Sequence, residues 1–147
     1  MPSDDAAQLW KLNQRLLTVV MNSCAGTFDE LGLETKEFFV LDEVDTCKYP
    51  AALATKLMLP KASVTMYLRS LVGKGFVQRE IDEEDLRRHR LATTERGRQV
   101  LTRALDALAA GFSDIMAPLD QHDRNELRRI LLTLLEPVRP TTAVSES

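Results

Sequence analysis

The chain has 147 residues, a net charge of −3, and ordinary apolar and charged fractions of 44% and 28%, the profile of one soluble globular domain with a real core. No apolar run approaches the ~20 residues of a membrane span, and the acidic opening MPSDDAAQLW is unlike a basic signal-peptide start. Two cysteines, Cys24 and Cys47, are too few for a disulfide framework, so the expected setting is the reducing cytoplasm, away from membranes.

From Ala6 to about Phe28, Leu9, Leu12, Leu16, Leu17, Val20 and Cys24 recur at helical spacing. Gly26 and the Gly32 region are expected to break this first helix. A second helix is predicted from Thr35 to about Val44, with Phe38, Leu41 and Val44 on one face and either Glu34 or Thr35 as its N-cap. Pro50 suits the first turn of a third helix ending at Leu57.

A fourth helix begins near Pro60–Lys61 and stops at Gly75, placed as a C′ glycine. Val64, Tyr67, Leu68 and Leu71 form its apolar face. At 100° per residue, Ala62, Met66, Arg69 and Gly73 point the other way, flanked by Ser63, Thr65 and Ser70. Two short helices and a tight turn, with a small, polar and basic outer face on the second, suggest helix-turn-helix.

Phe76 to Ile81 is short and rich in β-formers. The following segment, REIDEEDLRRHRLATTERG (79–97), reads two ways. Glu83 and Glu84 each stand four residues before an arginine, Arg87 and Arg88, a spacing that would lace an exposed helix with ion pairs. Thr94 then caps a long helix from Glu95 to Ala117, stopped by Pro118. Asp120 caps a last helix through Leu135, and 137–147 reads as a disordered tail.

Charge is unevenly spread. Residues 61–98 hold nine bases and six acids, a net +3 that leaves −6 for the remainder. A basic middle in an acidic chain is a footprint for local phosphate contact.

From Leu12 to Leu135 the chain resembles the MarR family of winged-helix transcription regulators. Asp85 and Arg87, then Leu91, Thr94 and Gly97, fit the family's wing pattern, with Thr93 where a leucine is usual. Leu33, Phe38 and Leu41 match its approach to the second helix. The resemblance implies a mainly α fold with a small β wing: a winged helix-turn-helix core plus N- and C-terminal dimerisation helices. Residues 33–97 would form the DNA-binding lobe, with 6–28 and 98–135 as dimerisation helices.

Under that resemblance, Phe76–Ile81 and Arg87–Ala92 form an antiparallel hairpin, and the helical ion-pair reading of the opening acids falls away. Asp85 would orient Arg87, whose charge suits a narrow minor groove. The fourth helix would enter the major groove. Ser63 and Thr65 would bond base edges or phosphates, and Ala62 would touch a thymine methyl. Met66 stands where many members have a basic or polar residue. Lys61 and Arg69 suit phosphates. Arg88 and Arg90 read equally as phosphate ligands or as solvated strand charges.

The partners implied are a double-stranded DNA operator and a second copy of the chain. A symmetric dimer would cover the apolar faces of the terminal helices and set two recognition helices about one DNA turn apart. Some relatives bind aromatic acids between the dimer helices and the lobe, where Met21, Phe28 and Phe38 would lie; core packing is the competing reading. Cys24, Cys47, His89 and His122 are too scattered for a metal site, and no phosphate loop or catalytic motif is present, so neither cofactor nor enzymatic activity is expected. Arg87, Lys61 and the basic middle favour DNA binding; the competing function, for which the net acidity and Met66 leave room, is a helical protein–protein interaction module whose winged-helix core no longer binds DNA.

Overall fold

Ser3 caps the first helix, its Oγ accepting the Ala6 N–H at 3.2 Å, and α1 (Asp4–Leu31) runs beyond its predicted limits in both directions. The structure, a computed structural model, describes residues 3–136; the tail expected at 137–147 lies outside them. Gly26 does not break α1. An interior glycine costs a helix only about 1 kcal/mol, and buried Cys24 and Phe28 flank it on the core side. The helix ends instead at Gly32, where the chain turns left-handed.

Helices α2 (Thr35–Glu43), α3 (Pro50–Leu57) and α4 (Lys61–Gly73) follow as the apolar spacing predicts. Glu34, not Thr35, is the N-cap of α2. Its N–H donates to Glu37 Oε1 at 3.0 Å. Beyond α4, Gly75 adopts φ 79°, which lets the Phe76 N–H reach Leu71 O at 2.9 Å and close the helix end. Between α3 and α4 the left-handed position falls to Met58 (φ 53°), a role glycine fills at lower cost.

Strands β1 (Val77–Ile81) and β2 (His89–Thr93) pair antiparallel, from Val77 opposite Thr93 to Ile81 opposite His89. The segment of paired charges is therefore a hairpin and not an ion-paired helix. Its second strand starts two residues later than expected, so Arg87 and Arg88 belong to the tip. Asp85 captures both of their N–H groups, Arg87 through its carboxylate and Arg88 through its carbonyl, each at 3.0 Å. Such local bonds compete with ladder pairing.

Thr94 Oγ1 accepts the Gly97 N–H at 2.9 Å and starts α5 (Glu95–Met116). Asp120 Oδ1 accepts the Asp123 N–H at 2.8 Å and starts α6 (Gln121–Leu135). The chain forms two compact units, one ending at Gly111 and one beginning at Phe112. In the first, Cys24 and Phe28 of α1 and Val100 and Ala104 of α5 join the core built on Leu41, Leu53, Val64, Leu68, Leu71 and Leu91. The C-terminal half of α1 therefore packs into the lobe, while Leu9, Trp10, Leu12 and Leu17 in its N-terminal half stay exposed. In the second unit α6 buries no residue completely. Among the described residues no helix is long and apolar enough to cross a membrane.

Candidate nucleic-acid interface

Burial of Val64, Leu68 and Leu71 fixes which way α4 faces. Lys61, Ala62, Thr65, Met66 and Arg69 are left exposed on the opposite side, with Ser63 half-buried at its edge. Thr65 Oγ1 donates to Lys61 O at 2.9 Å, which leaves the hydroxyl oxygen free to accept. The polar face expected from the spacing is present, with Met66 at its centre, 57% exposed.

The support behind that helix was not foreseen from the sequence. Glu37 of α2 is buried, yet it is fully partnered. Oε1 accepts from Lys74 Nζ at 2.7 Å and Oε2 from Ser70 Oγ at 2.7 Å. Lys74 Nζ also donates to Gly32 O at 2.7 Å, so one ammonium joins the end of α1, the start of α2 and the end of α4. Burial pushes the Glu37 carboxyl up, but the bonds from Lys74, Ser70 and the Glu34 N–H outweigh it and hold it below the usual range. A glutamate three residues after an N-cap was the available signal, and it reports only the local bond. Helical spacing places Ser70 on the flank of the outer face, but its hydroxyl turns inward to Glu37.

The hairpin is tied down at its foot. Asp45 accepts the Thr93 N–H at 3.0 Å and the Thr93 hydroxyl at 2.6 Å, and Lys48 O accepts the Leu91 N–H at 2.7 Å. Higher up, the Tyr49 hydroxyl donates to Asp82, which also accepts the Glu84 N–H at 2.9 Å. The bond from Tyr49 lowers the Asp82 carboxyl and raises the Tyr49 phenol. Thr93, in the place where leucine is usual, is buried and has its hydroxyl satisfied.

The three wing arginines differ. Arg87 is exposed and forms no ion pair among the described residues; Asp85 holds its backbone N–H and not its guanidinium. Among the described residues, Asp85 thus contacts Arg87 through the peptide. Arg88 lies over the Tyr49 ring, 4.1 Å from its centroid, an arrangement that places its charge by cation–π attraction. Arg90 pairs with Glu80, its partner across the ladder, at 3.3 Å. A concavity of about 380 Å³ between the start of α3, α4 and the wing is lined by Tyr49, Pro50, Ala51, Lys61, Thr65, Arg88 and His89.

The residues considered for a small ligand do not share one open surface. Phe28 and Phe38 are buried and pack ring to ring at 5.4 Å. Met21 and Phe28 border a concavity of about 320 Å³ that Phe38 does not line. Cys24 is buried, and burial pushes its thiol up. Cys47 is partly buried against the core.

A family model described as the MarR family matches residues 37–89. Solved structures agree on the fold. The transcriptional repressor CouR, bound to a 23-mer DNA duplex, is 25% identical with a TM-score of 0.71, over 90% of this chain and 92% of that one. A MarR-family protein of Mycobacterium tuberculosis, solved in complex with DNA, is 24% identical with a TM-score of 0.68, over 86% and 96%. A MarR transcriptional regulator from Methanosarcina mazei Go1 is 20% identical with a TM-score of 0.77, over 88% and 95%. No curated protein matches the chain in sequence.

Proposed function

We propose that the chain, which matches the MarR-family model at residues 37–89, is a sequence-specific DNA-binding transcription regulator, a homodimeric repressor of a pseudo-palindromic operator. The observation that carries this reading is the joint presentation of two surfaces by one compact unit. These are the exposed face of α4 and a wing tip whose Arg87 is held through its backbone and left without an ion pair among the described residues.

In this reading α4 lies in the major groove. Lys61 and Arg69 contact phosphates, Ser63 accepts from or donates to base edges, Thr65 accepts from them, and Ala62 and Met66 touch base surfaces without charge. Arg87 enters the minor groove, where a narrow groove concentrates negative potential. Asp85 keeps Arg87 in position. Arg88 and Arg90 approach the backbone; Arg90 must share Glu80, at small cost because an exposed ion pair is worth at most about 1 kcal/mol. The net charge of −3 does not oppose this, because the positive excess is confined to the segment that would meet DNA.

A second copy accounts for the exposed leucines of α1 and α6. Relief by a small aromatic acid belongs to the same proposal. The concavity beside Met21 and Phe28 is its seat, and such a ligand acts only by binding the DNA-incompetent geometry more tightly.

Purified protein should enrich a small set of genomic fragments that share an inverted repeat. No enrichment even at low salt rejects DNA binding and leaves the protein–protein interaction module as the reading that stands.

A further inference from the structure

Isolated apolar side chains on a protein surface need no explanation. Met66 is a different case because of its position. It occupies the centre of the exposed face of α4, 57% exposed, with Ala62 one turn before it and Thr65 and Arg69 beside it. The apolar side of the same helix is already satisfied by Val64, Leu68 and Leu71, so Met66 serves no core.

A methionine offers no strong donor or acceptor, and it cannot read the hydrogen-bonding edges that separate most base pairs. The thymine 5-methyl is the one apolar group that bases show in the major groove. An unbranched, polarisable thioether suits contact with it, since three rotatable bonds let the end of the chain settle on a small target. Ala62, four residues earlier on the same face, is short enough to leave that methyl room. We infer that Met66, assisted by Ala62, reads a thymine methyl in each half-site. This assignment rests on the operator-binding reading above and deepens it by naming the base feature that α4 selects.

The test removes the methyl and nothing else. Duplexes selected from a random pool by the unaltered chain are resynthesised with deoxyuridine replacing one thymidine at a time, and affinities are compared with those of Met66→Ala and Met66→Gln. The unaltered chain should lose about fourfold in affinity at one thymidine position per half-site, the worth of one methyl-sized apolar group. Met66→Ala should be indifferent to uracil there, and Met66→Gln should select adenine at that position. If no uracil substitution weakens the unaltered chain, or Met66→Ala keeps the full sensitivity, the assignment is overturned while operator binding stands. If the unaltered chain selects no sequence at all, the operator-binding reading and this assignment fall together.

Discussion

Asp45, in the connection between α2 and α3, accepts both the backbone N–H and the hydroxyl of Thr93 at the foot of the wing. One carboxylate thereby ties the second wing strand to the helical body at the point where the chain turns into α5. Removing it leaves two buried donors without a partner. Asp45→Ala should therefore cost about 1–3 kcal/mol of stability. Thr93→Val keeps the volume and the backbone bond, and should cost nearer 1 kcal/mol. Urea titrations of both variants measure this; equal stability to the parent would mean the anchor contributes nothing.

Glu37 gives acid sensitivity with a definite sign. Its bonds to Lys74, Ser70 and the Glu34 N–H hold the folded-state carboxyl below the ordinary value of 4.5. A carboxyl depressed on folding stabilises above its unfolded value and loses that stabilisation as pH falls through the folded one. The urea midpoint should thus begin to fall as pH drops below about 4.5. Glu37→Gln should be about 1–3 kcal/mol less stable at neutral pH, with a flatter acid limb. An unchanged acid limb would assign the sensitivity to other groups.

Gly97 and Gly111 make a contrast within α5. A Cβ on Gly97 would overlap the carbonyl of Phe76, which is backbone and cannot yield cheaply; on Gly111 it would meet the hydroxyl of Ser23, which can rotate. Gly97→Ala should cost about 1–3 kcal/mol through overpacking, and Gly111→Ala clearly less. Thermal melts of the two variants should rank them in that order, and the reverse order would refute the packing argument.

Leu9, Trp10, Leu12 and Leu17 on α1, and Leu131, Leu132, Leu134 and Leu135 on α6, are all exposed in a single chain. In the homodimer proposed above, the second copy covers these apolar faces. Sedimentation at micromolar protein should show a species of twice the 16.5 kDa chain mass, and a lone 16.5 kDa species would contradict the dimer.

Helix positions were legible because the apolar repeat in Val64, Leu68 and Leu71, or in Phe38 and Leu41, follows directly from which face is buried. The wing was legible only through resemblance. Glu83, Glu84, Arg87 and Arg88 have the spacing of an ion-paired helix, and nothing local reveals that Asp85 turns the chain instead. Gly26 misled because glycine's cost is local, whereas the burial of Cys24 and Phe28 that overrides it is tertiary. The long-range polar ties, Glu37 to Lys74, Asp45 to Thr93 and Tyr49 to Asp82, join residues more than thirty positions apart. No periodicity announces such pairs.

The most direct test of the account is operator affinity of Arg87→Ala and Asp85→Ala across a salt series. If Arg87 is a fixed charge in the minor groove, Arg87→Ala should lose roughly 1–3 kcal/mol of operator affinity. It should also flatten the log K against log salt slope by about two counterions for the dimer. Helical content should survive, because the tip is exposed. Asp85→Ala should weaken binding as well, because Asp85 holds the Arg87 N–H and the loss frees the tip; charge repulsion alone predicts tighter binding. Weaker binding by both variants is the predicted result. An unchanged affinity and slope for Arg87→Ala would show that the wing does not touch DNA, and tighter binding by Asp85→Ala would contradict the orienting role.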